Sequence, residues 1–438
     1  MECPSVDVGI VTEKAVRFVF NGEYVNTANG EFLSGEQRAL FISGKIVFNG
    51  KLYEEIQFEP FRYEEASFDL KAVTIGKHFH WQRQEDQRFQ GSLLLLAGAD
   101  GIITVNRVGV EEYLTSVISS EMSAHASKAL LKAHAVISRS WLLAQIEKNR
   151  RITTDKTHYQ TFFEDEHERV RWYDREDHRL YDVCADDHCQ RYQGVTRAST
   201  PAVREAVNET RGEILTYRQA ICDARFSKCC GGATEEFEYC WEPVHHFYLS
   251  RVRDDREGSL PDLTQEAEAA KWIRSAPAAF CHTQDKEILE QVLNNYDLET
   301  PDFYRWKVVY SQRELAMLIE KNLEMRFGSI LDLVPLERGA SGRISRLKIV
   351  GSERWFIIGK ELEIRRVLSE SHLYSSAFTV DKEGVSEGIP ERFVLTGAGW
   401  GHGVGLCQIG AAVMGANGYG YEEILSHYFP GAGIEKRY

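Results

Sequence analysis

Residues 127 to 147 contain neither glycine nor proline, and Ala129, Leu130, Ala133, Val136, Ile137, Leu143 and Ala144 recur there at helical spacing. A run of this length with apolar residues at i, i+3 and i+4 predicts one amphipathic helix, and such a helix needs partners to cover its apolar stripe. Ser127 stands where an N-cap belongs. The rest of the chain must build a core around it. With 438 residues, 43% of them apolar, there is ample chain to do so, in two or three domains.

Upstream of the helix the pattern has the period of strands. Val8 to Val11, Val16 to Phe20, Ala39 to Phe48 and Leu52 to Phe58 are short and rich in β-branched or aromatic residues. Asn21-Gly22 and Asn49-Gly50 punctuate them as hairpin turns, and Ser92 to Leu96 with Ile102 to Val105 form a further hairpin at Asp100-Gly101. Downstream, residues 150 to 191 are crowded with charge and poor in aliphatics, as in a long solvated loop. A second helical region is expected over Leu263 to Arg326, interrupted at Pro301, with short strands at Leu347 to Val350 and Arg354 to Ile358. The expected fold is α+β, with a β-rich N-terminal domain and a mixed α/β catalytic region built around one long helix. The boundaries drawn from the pattern are residues 1–105, a core over 106–240, a mixed helical insertion over 241–340, and a C-terminal part of the core over 341–438.

The formal charge of −14 argues against a nucleic-acid partner, which calls for a basic face, and against docking on an anionic membrane. No apolar run approaches the roughly 20 residues that span a bilayer. As written, Met1-Glu2-Cys3-Pro4 has no basic stretch followed by an apolar one, so the expectation is a cytoplasmic chain, or a periplasmic or envelope one if the true start lies upstream. Nine cysteines, with none between Cys3 and Cys184, do not make a disulfide framework. His178, Cys184, His188 and Cys189 lie within twelve residues and have the ligand types and number of a tetrahedral zinc site. Its expected role is to rigidify a loop short of apolar packing.

Two further segments complete the pattern. Asn106, Val108, Glu112-Tyr113-Leu114 and Glu121-Met122 lead into the helix with Lys132 and Arg139, and the chain closes on Gly399-Trp400-Gly401-His402-Gly403-Val404-Gly405-Leu406-Cys407-Gln408-Ile409-Gly410-Ala411. Together they resemble the SpoIID/LytB family, in which a Glu-Met pair precedes a helix of the type Glu-Ala-Leu-Lys-Ala-Gln-Ala-Val-Ala-Ala-Arg-Thr. The match is ungapped from Glu121 through Arg139, with Ser123, Ala129 and His134 as departures where Pro, Glu and Gln are usual. Colinear motifs continue through Thr210-Arg211-Gly212, Phe226-Ser227, Gly231-Gly232 and Gly342-Arg343-Ile344, so that the resemblance covers about residues 90 to 434.

The resemblance implies a peptidoglycan lytic transglycosylase that cleaves between N-acetylmuramic acid and N-acetylglucosamine, on glycan strands that can be denuded of peptide. Glycoside cleavage needs a proton on the leaving oxygen as an oxocarbenium-like state develops. Glu121 would supply it, then act as base toward the substrate's own C6 hydroxyl, so no second carboxylate is obligatory. A carboxylate ahead of a helix N-terminus is favoured in its charged form, and burial has to offset that field. Substrate contacts are expected from Lys132 and Arg139, seven residues apart on one helix face, and from Ser227, Gly231, Gly232, Trp400, His402 and Gln408. The resemblance also supports a metal at the His-Cys-Gln segment. The rival implied role is a non-catalytic amidase enhancer whose partner is a cell-wall amidase or the glycan. A thiol nucleophile built from Cys230 and His402 is the weakest alternative.

Overall fold

The computed structural model describes residues 3–75, 83–123, 125–155, 161–172, 178–186, 189–196, 200–293 and 302–438. Ten strands precede the first helix: β1 (Ser5–Glu13), β2 (Ala15–Asn26), β3 (Glu31–Ile42), β4 (Lys45–Phe48), β5 (Lys51–Tyr53), β6 (Glu55–Pro60), β7 (Ser67–Ile75), β8 (Arg83–Phe89), β9 (Ser92–Ala97) and β10 (Ile102–Gly109). Three more follow the second helix: β11 (Phe162–Glu164), β12 (Glu168–Arg171) and β13 (Val183–Cys184). One sheet of eleven strands runs β13-β1-β10-β9-β6-β2-β3-β4-β5, with β7 on β2 and β8 on β7. Alternation along β2 buries Val16, Phe18 and Phe20, which meet Phe48, Phe58 and Phe68 in an aromatic cluster.

The turn signals divide into two outcomes. Asn49-Gly50 joins β4 to β5, and Asp100-Gly101 joins β9 to β10, as the pattern predicts. Asn21-Gly22 does not close a hairpin. β2 runs through it, and the ladder shifts between Phe20 and Tyr24, with Gly22 at φ +96° as the bulged residue. The bulge lets β2 change partner, from β7 before it to β6 after it. Ser43-Gly44 similarly splits the expected strand Ala39–Phe48 into β3 and β4.

The helices α1 (Val110–Glu121), α2 (Lys128–Asp155) and α3 (Pro201–Glu209) pack against this sheet's end and share its core. Ser127 caps α2 as expected, its Oγ accepting from Leu130 N at 3.3 Å. With no helix breaker after Glu147, α2 continues to Asp155. Leu130, Leu131, Ala133, Ala135, Val136 and Ile137 are all fully buried.

A second core lies between Trp306 and Leu395. It is built by the strands Arg305–Ser311, Ile330–Arg338, Ile344–Gly351, Trp355–Gly359, Phe378–Glu383 and Arg392–Ala398, with the helices Gln312–Leu323 and Glu361–Val367. The segment read as helical over 263–326 therefore also contains a strand, where Trp306 is buried and pairing with Arg392–Ala398 decides the conformation. The position between residues 340 and 341 falls in the turn of a hairpin inside this core.

The charged excursion is anchored at several points. β12 adds in parallel to Trp355–Gly359, and β13 adds in parallel to β1. Val195 N donates to Arg88 O at 2.7 Å while Arg88 N donates to Thr196 Oγ1 at 2.8 Å on β8. Among the described residues no helix is long and apolar enough to cross a membrane.

Phe58 packs at 5.2–5.7 Å from the rings of Phe18, Phe20 and Phe48 and is fully buried. Phe58→Ala should lower stability by about 3–5 kcal/mol, read as a lower denaturant midpoint with an unchanged slope.

Candidate functional site

Glu121 is the last residue of α1, half-buried, and Met122 N closes the helix onto Ile118 O at 2.8 Å. It therefore sits in the field of a helix C-terminus, the reverse of the expectation drawn from the helix that follows it. The chain between α1 and α2 is held from outside. Ser123 N donates to Gln291 O at 2.9 Å and Ser127 N to Gln291 Oε1 at 3.0 Å. Gln291 lies on the helix Lys286–Val292, whose end also receives Lys228 Nζ, on Val292 O at 2.7 Å. Nothing in local sequence periodicity marks Gln291, because its role arises only across the fold.

Earlier on α1 stands Tyr113. Its hydroxyl is buried with no hydrogen-bond partner among the described residues, and its ring stacks on Tyr192 at 5.1 Å. Burial, followed by the charges of Cys189, Cys184, Tyr192 and Glu121, holds its pKa well above the ordinary tyrosine value. Tyr113 thus lies within electrostatic reach of both the carboxylate and the cysteine loop. In that loop His178 Nε2 stands 3.2 Å from Cys189 Sγ, and Cys184 N lies 3.4 Å from the same sulfur. The donor atoms of His178, Cys184 and Cys189 lie within 4.8 Å of one another, a set suited to a tetrahedral ion with one further ligand. His188, expected as that ligand, lies outside the described residues.

Lys132 and Arg139 do share a helix face, but that face packs inward and not along a groove beside Glu121. Arg139 has no exposed side chain and forms a two-point pair with Glu111, Nη2 to Oε2 at 2.7 Å and Nε to Oε1 at 3.1 Å, while Nη1 donates to Glu213 O at 2.9 Å. Glu111 also accepts from Tyr438 Oη at 2.8 Å and Gly212 N at 3.3 Å. Ten residues of helix, about 15 Å at 1.5 Å per residue, separate Glu111 from Glu121. Lys132 pairs with Glu209 of α3 at 2.5 Å and lies over the Tyr421 ring. A cleft of about 400 Å³ opens between α1 and α3, lined by Glu112, Thr115, Ser116, Arg204, Asn208 and Arg211, and Glu121 is not in its wall.

Of the remaining expected contacts, Ser227 lies on the strand Phe226–Ser227 paired with Leu406–Cys407, Trp400 forms a β-bridge with Cys229, and Gln408 opens the helix after that pair; most of them are buried. Gln408 is buried, with Nε2 3.1 Å from His134 Nε2. Burial, then the charge of Lys228, pushes the His134 pKa down to about 3, so this ring is neutral. His402 Nδ1 accepts from Val404 N at 3.0 Å, and the ring bonds the Phe226 backbone as well, leaving no free nitrogen for a sugar. Burial and the charges of Arg225, Arg343 and Arg365 hold its pKa well below the ordinary histidine value. Ser227, Gly231 and Gly232 are buried, and Gly232 abuts Tyr304 and Trp272. Trp400 keeps some exposure, but its ring is stacked on Phe303 at 4.6 Å.

Two of the alternating glycines, Gly399 and Gly403, pack against a buried guanidinium. Arg343 donates to Gly401 O at 3.1 Å, Cys230 O at 3.2 Å and Ser341 Oγ at 2.9 Å. A side chain at Gly403, φ +78°, would sit 2.4 Å from that guanidinium. Ser341 Oγ in turn donates to Glu235 Oε2 at 2.7 Å, and burial raises the Glu235 pKa to about 7 against the opposing hydrogen bonds from Ser341 and Glu236 and the charge of Arg343. None of the nine cysteines is in a disulfide. Cys230 is buried beside Cys281, and Cys240 bonds His402 O at 3.7 Å, so Cys230 and His402 do not form a thiol–imidazole pair.

The carboxylate that closes α1 ahead of the capped α2, the His/Cys loop and the glycine-alternating loop all lie in or beside the segments that resemble known proteins. Residues 99–217 match the family described as Stage II sporulation protein, and residues 235–405 match a family described as a domain of unknown function. Stage II sporulation protein D of Bacillus subtilis is 22% identical over 76% of this chain and 76% of its own length. An uncharacterised protein of Brachyspira hyodysenteriae is 26% identical over 79% of this chain and 72% of its own. The amidase enhancer of Bacillus subtilis is 24% identical over 73% of this chain and 39% of its own length. The match over residues 99–217 and the relatives named Stage II sporulation protein D and amidase enhancer support a SpoIID/LytB assignment.

Two measurements check the inward-facing charges. Glu111→Ala leaves the Arg139 guanidinium buried and unpaired, and should cost about 3–5 kcal/mol in denaturant unfolding. Glu235 has a folded pKa raised to about 7 from 4.5. Its contribution to stability is full below pH 4.5 and is lost as pH rises to 7. Glu235→Gln should flatten that part of the stability–pH curve; an unchanged slope would assign it to another group.

Proposed function

We propose that this protein is a peptidoglycan lytic transglycosylase in which Glu121 is the single acid/base. The observation that carries this reading is the placement of Glu121. It is a half-buried carboxylate closing α1, with the loop that follows it held by Gln291 and the buried Tyr113 hydroxyl within its electrostatic reach. Protonated, it donates to the glycosidic oxygen as the bond to C1 breaks. As carboxylate, it takes the proton of the C6 hydroxyl, which closes on C1 and leaves an anhydro-muramic end. The substrate is the glycan strand, including strands without stem peptides.

Zinc is the metal that His178, Cys184 and Cys189 would hold, with His188 as the expected fourth ligand. Its contribution is rigidity: it fixes the loop against Tyr113, and the reaction needs no step through it. A second reading, an amidase enhancer that binds a cell-wall amidase, draws support from the relative of that name and from the inward orientation of His402 and Gln408.

Mass spectrometry of denuded glycan strands after digestion separates the readings. Anhydro-muramic ends are expected from the wild type, and Glu121→Gln should lower their yield by about a hundred- to ten-thousand-fold at unchanged melting temperature. Reducing ends would make the protein a hydrolase, and no cleavage by wild type would favour the enhancer.

A further inference from the structure

Four potential metal-binding residues remain that the glycan chemistry does not use. Cys230, Asp254, Cys281 and Cys407 are all buried, and one donor atom from each lies within 4.8 Å of the others. Cys230 Sγ and Cys281 Sγ are 3.7 Å apart. A disulfide requires about 2.05 Å. Two sulfurs each about 2.3 Å from one tetrahedral ion stand roughly 3.8 Å apart. Cys407 heads the helix Gln408–Ala416, and its Sγ receives Cys230 N at 3.2 Å; both features favour a thiolate. Asp254 receives only neutral donors, Cys281 N at 2.8 Å and Tyr428 Oη at 2.5 Å, and among the described residues no Lys, Arg or His pairs with it. A carboxylate buried without a cation is costly, and such a group is protonated, paired or bound to a metal; three sulfurs within ligand distance of it favour the metal.

We propose that these four residues form a second metal centre, a thiolate-rich site for a zinc-class divalent cation. Three thiolates and a carboxylate are soft enough to select zinc over magnesium or calcium. On binding, each thiol releases its proton to solvent and a metal–sulfur bond replaces the sulfur–hydrogen bond. The position of the ligands in the chain gives the centre a role. Cys230 and Cys407 stand five residues before and two residues after the 235–405 segment, while Asp254 and Cys281 lie within it. One ion therefore clamps the exit and re-entry of that segment to each other and to its own interior.

The test uses the full chain carrying Cys184→Ser and Cys189→Ser, purified without chelator from zinc-containing medium, so that the exposed loop no longer supplies thiolates. About one zinc per chain should remain, and replacement by Co²⁺ should give sulfur-to-cobalt charge-transfer absorption. Adding Cys281→Ser should remove both signals. Should that triple variant fail to fold, the cobalt spectrum of the double variant decides: absorption without a sulfur charge-transfer band, or no bound metal, overturns the proposal. Should the double variant itself be insoluble, wild type must hold about two zinc ions per chain, and fewer overturns the centre. A Cys230–Cys281 disulfide found by non-reducing peptide mapping of wild type would also overturn it, in favour of a redox pair.

Discussion

The geometry around Glu121 depends on a charge pair that is almost wholly buried. Arg139 on α2 and Glu111 on α1 lock the two helices at the end of α1 remote from Glu121, and the same two side chains draw in the Glu213 carbonyl, Gly212 N and the hydroxyl of Tyr438. A guanidinium in the core is tolerable only when its donors are met, and here the carboxylate takes two of them in a planar fork that lysine could not reproduce. Because α1 is pinned at its start by this pair and at its exit by Gln291, Glu121 has little freedom to drift. Charge buried at one end of a helix thus helps set the position of Glu121 at the other.

A second buried guanidinium organises the opposite half of the domain. Arg343 belongs to the region with its own core, yet it donates to the carbonyls of Gly401 and Cys230, so polar contacts join the two cores beside the packing of Tyr374 on Trp400. That explains Gly399 and Gly403, where a Cβ would run into the planar cation, while at Gly401 and Gly405 the crowding comes from Ser227 and the Arg225 carbonyl.

Features carried by local pattern were legible in the sequence. The long helix with its Ser127 cap, the Asn49-Gly50 and Asp100-Gly101 turns and the alternating strands all follow from spacing within a few residues. Features decided by distant partners were not. Asn21-Gly22 has the chemistry of a hairpin, but β6 and β7 both pair with β2 and turn it into a bulge. Helical counting relates Lys132 to Arg139, yet it could not say that Glu209 of α3 and Glu111 of α1 would pair with them. The Cys/Asp cluster escaped for the same reason: its ligands are spread over 177 positions, so no spacing motif gathers them.

The charged excursion that carries His178, Cys184 and Cys189 has a further consequence. An eleven-stranded sheet that does not close into a barrel ends in strands whose outer backbone groups invite pairing with another molecule. Here β13 covers the outer side of β1, and Val195 and Thr196 take the backbone groups of Arg88 on β8. The two seals stand on either side of Cys189, so the order of one loop governs both. Keeping that loop in place is thus also a matter of colloidal behaviour: when it loosens, the chain presents two sticky β edges to its neighbours.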